Sequence, residues 1–163
     1  MTRPSPNDTR TQIVDLLGES VLHALGLKET LQNERRALEE QDIDELDQVV
    51  TTKSDCVSKL QQLESQRQAL CEASGFHPGP EQMEQLVDWC DEDSTITKCW
   101  SQLMDIAADC NALNLTNGAI IQMRSQMMAS NLAVLRGTDP NPDTYQRQGR
   151  DSAASKQRSL AEA

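Results

Sequence analysis

Leu17, Ala24, Leu31 and Leu38 stand seven residues apart inside a stretch, Thr9 to about Glu40, where Ile13, Leu16, Val21 and Leu27 fill in spacings of three and four. Such spacing winds one apolar seam along a helix with a coiled-coil-like period. A second stretch follows after only two or three residues, with apolar positions Leu46, Val49, Val50, Cys56, Val57, Leu60, Leu63 and Leu70. Lys53 and Arg67 occupy seam-like positions there, where their stems can lie along apolar surface. Two long helices joined so tightly must fold back on each other, so the sequence predicts an antiparallel helical hairpin.

Local chemistry marks the helix ends. Asp8 or Thr9 is the expected N-cap of the first helix, and Asp42 with Glu45 reads as a capping box for the second. Gly75 can adopt the left-handed C-cap conformation, and Pro78 cannot continue the ladder. Pro80 is placed to open a short amphipathic helix through Met83, Leu86, Val87 and Cys90. Ser94 is the expected cap of a third long helix, with a seam through Ile96, Cys99, Trp100, Leu103, Ile106, Ala107, Cys110, Leu113, Ile120, Met127, Val134 and Leu135, ending at Gly137. A helix of that extent is about 60 Å long, so it either overhangs the hairpin or breaks. Asn117 and Gly118 are its weak spot, because glycine costs about 1 kcal/mol in a helix interior.

The expected fold is therefore all-α: an elongated antiparallel hairpin plus a third long helix, a three-helix coiled-coil-like bundle with a short connecting helix. The helices fall at about 9–40, 43–73, 80–91 and 94–136, within a bundle domain of residues 9–137. A flexible N-terminus, 1–8, and a mobile tail, 138–163, flank it.

Composition narrows the function. The chain has 2 His, 1 Phe, 1 Tyr and 2 Trp, so it is poor in side chains that perform catalysis or stack on bases. His23 lies among apolar residues and His77 in a Gly/Pro loop, with no partner at motif spacing and no Gly-rich phosphate loop; neither an enzyme nor a cofactor is expected. Formal charge is −11. Residues 1–136 hold 22 acids against 11 bases, whereas residues 137–163 hold 4 against 4. An acidic body repels phosphate backbones and anionic lipid, which argues against nucleic-acid and membrane partners.

The acids between Ala69 and Thr97 lack the spacing of a calcium loop and read as a solvated face. Five cysteines without a C-x-x-C pair read as small buried thiols, with no metal site. No apolar run approaches the roughly 18 to 20 residues that span a bilayer, and the first residues lack a signal-peptide core. A cytoplasmic location is expected.

The stretch from Asn117 to Gly137 stands apart. Ile120, Ile121, Met123, Met127, Met128, Leu132, Val134 and Leu135 cover an arc of about 180° at about 100° per residue, wider than one seam needs. Three of the six methionines fall within it, and methionine-rich faces suit surfaces that adapt to other helices. The arc reads either as ordinary core or as a partner-binding face, including one that closes a homo-oligomer of a structural coiled-coil or adaptor protein. Asn114, Asn117 and Asn131 read as register-fixing seam residues or as hydrogen-bonding groups for a partner.

The string "NGAIIQMRSQMMASNLAVLRG", followed by "TYQRQGR", resembles the C-terminal half of the FlgN-type flagellar export chaperones. The shared pattern is Asn117-Gly118, an amphipathic helix with Leu132, Leu135 and Gly137 at its end, then Tyr145 and Gly149 in a Tyr-x-x-x-Gly element. The resemblance implies a cytoplasmic, helical, substrate-specific chaperone for the hook-associated proteins that join flagellar hook to filament. It would bind their C-terminal helices, prevent premature assembly and deliver them to the cytoplasmic part of the export gate. It assigns cargo binding to Ile120, Ile121, Met123, Met127, Met128, Leu132 and Leu135, and gate docking to Tyr145 and Gly149.

Overall fold

The computed structural model describes residues 4–137. These form four helices and no strand: α1 (Pro6–Glu40), α2 (Ile43–Ala73), α3 (Gln82–Cys90) and α4 (Thr95–Leu135). Two compact units meet along the sequence between Ile121 and Gln122.

α1 begins three residues before the expected Thr9. Its N-cap is Ser5, whose hydroxyl accepts from the Asp8 N–H at 3.2 Å, with Pro6 in the first turn. Thr9 is instead buried, its hydroxyl 3.2 Å from that of Ser74. Proline favours the first helical position, where its missing N–H costs no hydrogen bond, and Ser5 just before it supplies the cap. At the other end Gln41 takes the left-handed conformation and the Asp42 N–H closes onto Ala37 C=O at 3.0 Å.

That closure alters the expected capping box. Asp42 does cap α2, its carboxylate accepting from the Glu45 N–H at 2.9 Å. The Asp42 N–H is already used by α1, however, and Glu45 turns to Arg36 instead. α2 ends as the sequence predicts: Gly75 has φ +86°, the Gly75 N–H reaches Glu72 C=O at 2.9 Å and the Phe76 N–H reaches Cys71 C=O at 3.0 Å. This is a Schellman closure.

Cross-helix pairs show the antiparallel hairpin. They run from Arg36–Glu45 beside the turn, through Glu34–Lys53 and Glu19–Lys59, to Thr9–Ser74 at the far end. On α2, Val49 and Leu63 are buried, whereas the expected seam residues Val50 and Val57 are exposed. Adjacent positions differ by about 100° around a helix, so one partner cannot cover both Val49 and Val50.

α3 starts at Gln82, two residues after Pro80, which sits in the preceding turn. Met83, Leu86 and Cys90 from α3 join Ile13 and Leu17 of α1, Cys71 of α2 and Ile96 of α4 in one core cluster. A second cluster joins Val21, Ala24 and Leu31 of α1 to Ile106 and Cys110 of α4.

The start of α4 depends on the acids before it. Ser94 has φ +61°. Asp91 accepts from the Ile96 N–H at 3.1 Å, the Thr97 N–H at 2.9 Å and the Thr97 hydroxyl at 2.7 Å, and Asp93 accepts from the Thr95 N–H at 3.1 Å. Part of the expected solvated acidic face is thus helix-capping structure. Arg10 pairs with Asp93 and pulls its carboxyl down to about 2. Burial raises the Asp91 carboxyl, but the three hydrogen bonds outweigh it and the net shift is downward.

Asp91→Ala should lower stability by about 1 to 2 kcal/mol at neutral pH, read from a urea or thermal transition. A carboxyl lowered on folding stabilises above its unfolded value, and that contribution is lost as pH falls through the lowered one. The gap between the variant and the parent should therefore close in acid. An unshifted midpoint at neutral pH would show that these bonds contribute nothing.

Candidate functional site

α4 is one helix through Asn117 and Gly118, not two. A Cβ on Gly118 would meet nothing within 4 Å, so the glycine is not there to admit a close neighbour. What holds the helix at this point is the residue before it. Asn117 is 1% exposed, and its Nδ2 donates to Leu31 C=O at 2.9 Å and to Glu34 Oε2 at 2.8 Å. Glu34, also buried, receives Lys53 Nζ on both oxygens at 3.1 Å, and the same ammonium reaches Asn114 Oδ1 at 2.8 Å. α1, α2 and α4 therefore share one polar layer.

The sequence placed Asn114, Asn117 and Lys53 on seams but left Glu34 out. The signal was present: Ile13, Ser20, Leu27 and Glu34 are seven apart, the phase of a seam position. A second tie lies toward the other end of α2. Arg67 holds Glu64 at 2.7 and 2.8 Å, reaches Gln82 Oε1 at 3.5 Å and sits 5.2 Å from the Trp100 ring centroid. Its hydrogen bonds lower the Glu64 carboxyl.

α1 and α4 lie side by side with a fixed stagger. Cys110 Sγ–H donates to Ala24 C=O at 3.6 Å just as Asn117 donates to Leu31 C=O, both pairs 86 residues apart. The thiols of Cys71, Cys90 and Cys110 are pushed up by burial, which keeps them protonated and poor as nucleophiles or metal ligands.

Of the residues singled out in the sequence, Ile120 is half-buried and Ile121 is 50% exposed; both belong to the unit that ends at Ile121. Met123, Met127, Met128, Leu132 and Leu135 follow Gln122, and all five are exposed, from 50% at Leu132 to 82% at Leu135. Val134 is exposed as well. The seam expected to continue through Met127, Val134 and Leu135 is therefore not covered, and Ala107 on the same expected seam is also open. Sequence periodicity gives the phase of an apolar stripe, not the presence of something against it. Tyr145 and Gly149 lie outside the described residues.

Single exposed apolar residues are ordinary, but contiguous ones on one helix mark an interaction surface. Among the described residues no helix is long and apolar enough to cross a membrane. A FlgN protein family model matches residues 7–153, which is nearly the whole chain. No curated protein and no solved structure matches it. Family members are flagellar export chaperones rather than enzymes, and an all-α bundle carrying an uncovered methionine-rich helix face agrees with that role. The chain belongs to the FlgN family and is a flagellar export chaperone.

Proposed function

We propose that this chaperone acts in the cytoplasm on the hook-associated proteins joining hook to filament, by taking their C-terminal helices onto the exposed apolar side chains of α4. The observation that carries this reading is the exposure of Met123, Met127, Met128, Leu132 and Leu135 together in a family of export chaperones. Burying such side chains against a cargo helix yields about 25 cal/mol per Å² of apolar area, offset by the cost of association. Cargo held in this way is kept from premature assembly. Delivery to the cytoplasmic part of the export gate we assign to Tyr145, with Gly149 in the same element.

The Met127→Asp/Leu132→Asp double variant tests the docking face. Both side chains are exposed, so the fold should survive, with an unchanged helical circular dichroism spectrum. Two carboxylates forced into an apolar contact should weaken capture of a hook-filament junction protein by about 100-fold, measured by titration calorimetry. Unchanged affinity would remove these residues from the cargo site.

A further inference from the structure

Two ties join α2 to α4: Lys53 Nζ reaches Asn114 Oδ1 at 2.8 Å, and the Arg67 guanidinium lies 5.2 Å from the Trp100 ring centroid. Lys53 to Arg67 and Asn114 to Trp100 are equal steps in opposite directions, so the two helices run antiparallel. Winding at about 100° per residue puts Ile43, Val50 and Val57 on one stripe of α2, across Lys53 from Lys59, which turns to Glu19 of α1. On α4 it puts Met104, Ala108 and Leu115 on one stripe, across Asn114 from Cys110 and Asn117, which bond α1. All six side chains are exposed. The two stripes border one apolar groove on the face turned from α1, within the unit that ends at Ile121.

Along this groove, over residues 43–63 of α2 and 104–121 of α4, the bases are Lys53 and Lys59. Both are held by carboxylates of α1, Glu34 and Glu19. Among the acids, Glu45 pairs with Arg36 and Asp109 with Lys28. Asp44, Asp47, Asp55 and Asp105 have no ion pair among the described residues. The same winding puts Asp47 and Asp105 on the outer sides of the two stripes.

We infer that this groove seats an amphipathic helix of another protein whose apolar stripe is flanked by lysines or arginines. The seven-residue apolar repeat of α2 is met in register by another helix, which would stand as a fourth member of the bundle. Unpaired carboxylates on both rims, with no free base beside them, favour cations on its flanks. A second copy of this chain does not supply them, since none of α1 to α4 has more bases than acids. The groove uses none of the cargo residues proposed above, so the chaperone gains a second site for a helix.

The test uses the full chain and two synthetic helical peptides with the same leucine and alanine stripe, flanked either by lysines or by glutamates. Fluorescence anisotropy at about 50 mM salt should show the lysine peptide bound about five-fold more tightly, as expected for two exposed charge pairs. The difference should vanish at about 500 mM salt, and Asp47→Lys/Asp105→Lys should invert it. Val50→Asp/Leu115→Asp, at two exposed positions, should weaken both peptides by about 100-fold with an unchanged helical circular dichroism spectrum. Met127→Asp/Leu132→Asp should leave peptide binding intact.

Tighter binding of the glutamate peptide, equal binding of both, binding of neither, or an unchanged preference in Asp47→Lys/Asp105→Lys would overturn the inference. Binding kept by Val50→Asp/Leu115→Asp but lost in Met127→Asp/Leu132→Asp would place the helix on the cargo residues, overturning the second site and leaving the cargo reading in place. Self-association of the chain that Val50→Asp/Leu115→Asp abolishes would put a second copy in the groove and likewise overturn the inference. If that variant loses its helical spectrum, the charge reversal at Asp47 and Asp105 alone decides.

Discussion

Leu17→Ala is expected to cost about 3 kcal/mol of folding stability, seen as a lowered guanidinium midpoint with little change in slope. Leu17 is fully buried at the point where α1 meets α2, α3 and α4, in the cluster with Ile13, Cys71, Met83, Leu86, Cys90 and Ile96. Alanine removes three carbons there and leaves a hole that four helices would have to close together. They cannot close it independently, because their ends are already tied: Asp91 and Asp93 fix the start of α4, and Arg67 links α2 to Gln82 and Trp100. Leu22→Ala is the internal comparison. Leu22 is 70% exposed on the same helix, and its loss should change stability by no more than about 0.5 kcal/mol. Equal effects from the two substitutions would contradict this assignment of the core.

Glu34→Ala should cost about 2 to 3 kcal/mol, toward the low end for breaking a buried pair. Lys53 retains an outlet to solvent, its side chain being 27% exposed, so its ammonium need not stay buried unpaired. Asn117 has no such outlet and loses one of its two acceptors. Its Oδ1 is already buried without a hydrogen-bond partner, so the layer is not fully satisfied even in the parent chain. Replacing the three members other than exposed Asn114 with apolar residues, as in Glu34→Leu/Lys53→Met/Asn117→Leu, should therefore recover most of the loss. Thermal unfolding of the single and triple variants checks both statements. A triple variant less stable than Glu34→Ala would show that the layer contributes net stability.

Most of the fold was legible because helix ends are written in local chemistry. Asp42 and Gly75 do what their residue types predict, and the seven-residue spacing from Leu17 to Leu38 gives the hairpin without reference to anything distant. The misses are of two kinds. Ser5 displaced Asp8 and Thr9 as the cap because Pro6 is better placed one residue after a cap than before it. Glu34 was passed over because a glutamate is ordinarily a surface residue, and only Lys53 and Asn117, on other helices, make its burial tolerable. The candidate site was legible as a phase and a width. That Ile106 and Cys110 are covered depends on α1 lying beside them, and a one-dimensional pattern carries neither that nor the exposure of Met127 and Met128.

The equal stagger of Cys110 against Ala24 and Asn117 against Leu31 constrains how relatives of this protein can differ in length. Adding or deleting a few residues within α1 alone would rotate every later side chain away from its counterpart on α4. Insertions can be absorbed only as whole seven-residue blocks, entered together into α1, α2 and α4, or placed in the segment between α2 and α4. Homologues of different size should therefore differ by matched heptads in α1, α2 and α4 or by the length of the α2–α4 segment, a pattern that comparing sequence lengths can reveal without any further structure.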